Sequence, residues 1–215
     1  MSGIMRSIGA TRAPVWPRGA ATRAGSRRSG GQALVEFALV FTIFVTMLMG
    51  FLEFAFMFNA LLSIGHATRD AALVAAEAGD SADADCVILD QVEKDVTAPA
   101  DRTRITQVTI YRSDQNGAVI GGQQNVYTRG GSTVCTMPDG TTLSVPYTAS
   151  GTLGYLATGR CNVLAGCGSG RTLDTIGVKV EYQHVWVTPL ANLVALGGTG
   201  TTLVQANAMR MEPVL

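Results

Sequence analysis

Only two histidines, His66 and His184, occur in 215 residues. A catalytic imidazole or a histidine-bound metal would have to be built from them, and neither is well placed. His66 falls on a polar helical stripe one turn before Asp70, where a solvated side chain is expected. His184 falls on an aromatic strand face and reads as a packed side chain. The sequence also lacks a Walker A loop, H-E-x-x-H, G-x-S-x-G and S-x-x-K. Gly166-Cys167-Gly168-Ser169-Gly170 follows no strong strand and opens no helix, so it reads as a loop rather than a phosphate cradle. No C-x-x-C spacing with a nearby histidine supports zinc. The expectation is a chain that is not an enzyme, with no metal, no cofactor and no small-molecule substrate.

Acid is missing from the start of the chain. Residues 1–31 hold six arginines (Arg6, Arg12, Arg18, Arg23, Arg27, Arg28) and no Asp or Glu. The formal charge is zero overall, with 16 basic and 16 acidic groups, so residues 32–215 carry 10 basic and 16 acidic groups, a net of −6. The leader is rich in Gly, Ser and Ala, contains Pro14 and Pro17, and shows no apolar period. Such a segment buries too little surface to offset its chain entropy and is expected to be disordered. An Arg-rich tail can also mark nucleic-acid binding. Aromatic interleaving is absent beyond Trp16, so no nucleic-acid partner is expected.

Charge is nearly missing from the next stretch. Between Ala33 and Phe58 only Glu36 and Glu53 are charged, and no proline interrupts the run. As a helix, these 26 residues span about 39 Å, and a bilayer core needs ~20 residues. Phe37–Leu52 separates the two carboxylates by about 25 Å along a helix axis. Glu53 then reads as a membrane-border residue. Glu36 lies just inside, where an acid is costly and usually functional. Basic residues beside a span stay cytoplasmic, so the N-terminus is expected in the cytoplasm and the rest exported.

Gly31-Gln32-Ala33-Leu34-Val35-Glu36-Phe37, preceded by arginines and followed by a long apolar run, resembles the processing site of type IV prepilins. Within that superfamily it is most similar to the TadE-like proteins, minor pseudopilins of tight-adherence (Flp-type) pilus systems. The resemblance covers roughly residues 27–78. It implies cleavage between Gly31 and Gln32 by a prepilin peptidase on the cytoplasmic face. Glycine suits that position because a backbone without a side chain can enter a protease site closely. It also implies that Glu36, followed by Phe37, attracts the new amino terminus of a neighbouring subunit during assembly. A paired charge at membrane depth costs far less than a lone one. The implied partners are inner-membrane lipid, the peptidase, and other pilin and pseudopilin subunits. The implied function is assembly of the pilus, from a single-pass position in the inner (cytoplasmic) membrane.

Two other readings are kept beside it. One is an exported ligand-binding or enzymatic domain on an uncleaved signal anchor. The other is a pseudopilin of a type II secretion apparatus, which the Gly31/Glu36 motif alone does not exclude. An ordinary cleaved signal peptide fits less well, because the apolar run is too long and Phe58-Asn59-Ala60 is a poor cleavage site.

Four segments are expected: a leader at 1–31, a transmembrane helix at 32–58, an amphipathic helical extension at 59–79, and an extracytoplasmic disulfide-containing α+β domain at 80–215. In the extension, Asn59, Ser63, His66, Asp70 and Glu77 share one line, while Ala60, Ile64, Ala67, Ala71, Val74, Ala75 and Ala78 form an apolar face. That face can pack on the chain's own C-terminal domain or on neighbouring subunits. Gly79 with Asp80 is a stop. Residues 86–96 suggest a short amphipathic helix, and residues 105–112 a strand. Asp114–Gly117 contains Asn-Gly, a hairpin signal. Residues 121–172 read mostly as loop with short strands. Residues 176–187 are the clearest strand, 190–196 a possible helical turn, and 201–211 a final strand. Helix first and antiparallel sheet after is a pilin-like α+β order.

All four cysteines, Cys86, Cys135, Cys161 and Cys167, lie beyond the apolar run. An even count in an exported domain favours disulfides. Three pairings are open. Cys161 and Cys167 enclose a short loop that could close locally, which would leave Cys86 for Cys135.

Overall fold

The computed structural model describes residues 29–163, 166–189 and 199–211. The expected leader up to residue 28 and the expected helical turn at 190–196 lie outside the described residues. Helix α1, Ser29–Ala78, is a single 50-residue helix. Helix α2, Ala84–Asp95, follows after a tight turn. Five strands complete the chain: β1 Ile105–Ser113, β2 Val119–Thr136, β3 Thr142–Ala149, β4 Thr175–Val185 and β5 Gly200–Arg210. They form one antiparallel sheet in the order β3-β2-β1-β4-β5. The fold is α+β, a long apolar N-terminal helix followed by a small antiparallel sheet domain, as the pattern of the sequence led us to expect.

Two compact units divide between Phe44 and Val45, inside α1. The described part of the first unit is helix alone. From Gln32 to Phe44 every side chain is exposed, including Leu34 at 70% and Phe37 at 65%. The second unit holds the rest of α1, α2 and the sheet.

In the second unit α1 changes character. Ala60, Ile64, Ala67, Ala71 and Ala75 form a buried stripe at intervals of three or four residues, and Glu53 is buried seven residues before Ala60. Thr68, Ala72 and Ala76 widen the stripe. Nearly all these residues are small, so the helix backbone can come close to the sheet. The expected apolar face therefore packs on the chain's own domain. Gly79 ends the helix at φ 60, a left-handed turn that glycine adopts without strain. α2 presents Cys86, Ile88, Leu89 and Val92 to the same core.

The sheet meets both helices with one face. On the central strands Val108, Ile110, Val178, Val180 and Tyr182 are buried there. On the opposite face Gly177 lies under the ring of Tyr111, where any Cβ would collide. The Asp114–Gly117 turn closes the β1–β2 hairpin as expected: Asp114 Oδ1 accepts from the amides of Asn116 and Ala118, both at 2.8 Å.

Residues 121–172 depart from expectation. β2 runs 18 residues through glycine-rich sequence, and β3 pairs with it. Gly122 and Gly130 lie at positive φ, and the β2–β3 register shifts between Arg129 and Thr133. Glycines that argued for loop instead bend a continuous strand.

Two points fix the direction of α1 over the sheet. Glu53 meets residues 187 and 188, just past β4 and beside the start of β5. Fifteen residues later, Asn207 Nδ2 of β5 donates to Thr68 Oγ1 at 2.7 Å. About 22 Å of helix covers about 26 Å of strand, so α1 and β5 run nearly side by side in the same sense.

A bulkier residue in the small stripe should prise the layers apart. Ala67→Leu, at a position with no exposure, is expected to destabilise the head by about 1–3 kcal/mol. Chemical denaturation of the full chain in detergent measures it, and Leu62→Ala on the exposed face should change little.

Candidate functional site

The motif residues sit together at the start of α1. Gly31 is already helical, and a Cβ there would meet nothing within 4 Å. Gln32, Glu36 and Phe37 are exposed on successive turns. Phe37 stacks on Phe41 with ring centroids 5.6 Å apart. Among the described residues Glu36 has no hydrogen-bond or ion-pair partner. The segment thus offers an exposed carboxylate on an exposed apolar rod. It is the one helix among the described residues long and apolar enough to cross a membrane.

Glu53, the other carboxylate of the run, is in the opposite state. It is 8% exposed. The Val187 amide donates to both its oxygens, at 3.0 and 3.1 Å, and the Thr188 amide donates to Oε2 at 2.7 Å. His184 Nε2 lies 3.4 Å from Oε1. His184 is itself buried and meets the Trp186 ring edge-on at 5.6 Å. Two backbone amides and an imidazole therefore receive a carboxylate from an otherwise apolar helix. Sequence reasoning treated Glu53 only as a border residue. The missed signal is spacing: Glu53 stands one heptad before Ala60 and two before Ala67, in line with the buried stripe.

The other histidine, His66, is exposed, and no ion pair joins it to Asp70 among the described residues. Among the described residues no cluster of His, Cys, Asp and Glu could hold a metal ion.

Three carboxylates fix α2 and the loops to the sheet. Asp85 Oδ2 accepts from Tyr127 at 2.6 Å and from Asn125 at 2.7 Å, while Oδ1 pairs with buried Arg160. Glu93 receives Arg129, with Nη2 at 3.0 Å from Oε2, and the Tyr147 hydroxyl at 2.5 Å. Asp174, 1% exposed, holds Arg112 Nε at 2.8 Å, the Cys161 amide at 3.0 Å and the Tyr155 hydroxyl at 3.1 Å. Burial first, and then the adjacent carboxylate, push the Tyr127 and Tyr147 phenols well above their ordinary range, so both remain neutral donors. Cys86 is bonded to Cys135, linking α2 to β2, and Cys161 to Cys167, closing the loop beside Asp174. No cysteine is free. These networks tie α2 and the loops to the sheet.

Residues 31–73 match the family model described as TadE-like protein. The match begins at the motif glycine and ends within the buried stripe of α1, in agreement with the resemblance read from the motif. No curated protein and no solved structure matches the chain.

Removing the Glu53 carboxylate strands two buried amides. Glu53→Ala is expected to cost about 1–3 kcal/mol and to speed hydrogen exchange at Val187 and Thr188. Mass-spectrometric exchange on the full chain in detergent checks it, with Glu53→Gln expected to fall between Glu53→Ala and wild type.

Proposed function

We propose that this chain is a minor pseudopilin, anchored in the inner membrane by α1, trimmed at Gly31 and required to assemble a tight-adherence pilus. The match of residues 31–73 to the TadE-like family carries the reading. It coincides with the exposed apolar part of α1 and with the Gly31/Glu36 motif. The role is structural rather than catalytic.

In this reading residues 1–31 remain cytoplasmic until a prepilin peptidase removes them. Of the 32–58 span expected from the apolar run, residues 32–52 cross the bilayer in this reading, because Glu53 is bound by the end of the sheet. Twenty-one residues of helix span about 31 Å, close to the thickness of a hydrocarbon core. The sheet domain stands outside, consistent with its two disulfides. Cleavage creates an amino group on Gln32. The Glu36 carboxylate, without a partner among the described residues, then draws the amino terminus of a neighbouring subunit, and Phe37 packs beside it. Pilin and pseudopilin helices are the partners that replace lipid around the exposed rod.

Two substitutions test the site. Gly31→Val should block trimming, so intact mass of membrane-derived protein retains residues 1–31, whereas wild type loses them. An unchanged short mass in the variant would refute Gly31 as the site. Glu36→Ala should insert and be trimmed normally, yet reduce surface pili by at least about tenfold, on the scale of one lost charge-assisted contact. Counting pili by electron microscopy decides this, and normal piliation would refute the assigned role.

A further inference from the structure

β5 ends the sheet on one side, and its bonding sense can be read from its ends. Trp186 donates its amide to the Thr199 carbonyl at 3.1 Å, and Met211 to the Asp174 carbonyl at 2.9 Å. Continuing the β4–β5 register by one residue at each end makes both directly opposed pairs, and a bond between opposed residues marks the hydrogen-bonded positions of the ladder. Odd-numbered residues of β5 therefore face β4. Thr202, Val204, Ala206 and Ala208 aim their N–H and C=O groups away from the sheet. Among the described residues nothing pairs with these groups.

Exposed edges usually carry a device that discourages pairing, such as a charge, a proline or a bulge. The opposite edge has one: β3 contains Pro146, and its register against β2 shifts. β5 has none. Gly200–Met209 contains no charge and no proline. It pairs with β4 without a register shift, and Val204 is 48% exposed.

We propose that this edge receives an extended strand from a different membrane-anchored chain, adding a sixth strand by backbone pairing. The inference rests on the reading that α1 anchors the chain in a membrane. A second copy of this chain is the wrong partner, for a geometric reason. Antiparallel pairing of β5 with β5 relates the copies by an axis normal to the sheet. Because α1 runs along β5, that operation reverses the helix. The two Val45–Leu52 stretches would then leave in opposite directions, which one membrane cannot accommodate. Stacking copies head to tail would bring β5 against β3. Every neighbouring pair in the sheet is antiparallel, so those two edges run the same way, and Pro146 lacks a donor. The fitting occupant is an edge strand that runs toward the membrane, with small or β-branched uncharged side chains opposite Thr202, Val204 and Ala206. It comes from a chain whose topology differs from this one.

The test places the photo-cross-linking amino acid benzoylphenylalanine at Ala206 of the full chain in its native membrane, followed by peptide mapping of the adduct. The expected adduct joins β5 to an extended segment of another membrane-anchored chain. Val204→Pro removes an outward N–H without touching a bond to β4. It should cut the adduct by about tenfold, in keeping with lost backbone bonds, whereas Val204→Thr should leave it intact. Ala208→Pro, at a second outward position, is the variant to use if Val204→Pro fails to hold both disulfides. A cross-link to β5 of a second copy, an adduct with lipid alone, no adduct, or an adduct indifferent to proline would overturn the proposal. Alkaline carbonate extraction of the same membranes separates the two claims. A chain released by carbonate overturns the anchoring reading together with this inference, and a retained chain without an adduct overturns this inference alone.

Discussion

A carboxylate in the middle of an apolar helix has to be satisfied somewhere, and here it is satisfied by the end of the sheet. Glu53 accepts three hydrogen-bond contacts from the amides of Val187 and Thr188. Among the described residues, Glu53 is the first buried residue of α1. Ahead of it, helical residues display Phe, Leu, Ile and Val outward. Behind it, the same helix turns a stripe of alanines onto the sheet while Phe54, Phe56, Phe58 and Leu62 stay exposed on its other side. A long apolar helix would otherwise have no marker for where its environment changes. The carboxylate supplies one, because leaving it in hydrocarbon would be costly.

The remaining polar chemistry serves rigidity. Asp85, Glu93 and Asp174 each gather an arginine and a tyrosine, and two disulfides close the segments around them. Breaking such a network by removing one partner leaves a buried charge uncompensated.

Much of this was legible from the sequence where pattern and physics agree. The three- and four-residue spacing of Ala60, Ile64, Ala67, Ala71 and Ala75 announced the buried stripe, and the alternation from Ile176 to His184 announced β4. Asn116-Gly117 marked its hairpin. The family motif was compact enough to be recognised from a glycine, an offset acid and an aromatic. What was hidden depends on contacts between distant residues. Glu53 and Val187 are 134 positions apart, and a backbone amide leaves no trace in side-chain identity. The length of β2 was hidden for another reason: glycines that permit a bend look the same in sequence as glycines that make a loop. The openness of β5 needed the register, since the direction of its amides follows from its pairing with β4 alone.

The account stands or falls on where lipid ends along α1. Nitroxide labels on Ile43→Cys and Leu62→Cys, both exposed positions, in the full chain reconstituted into bilayers measure it through collision with oxygen and with a water-soluble nickel chelate. Ile43 should favour oxygen strongly, as a site near the bilayer centre does, and Leu62 should favour nickel. Equal nickel access at both positions would place the helix flat on the surface or out in water, and would contradict the division that Glu53 is held to mark.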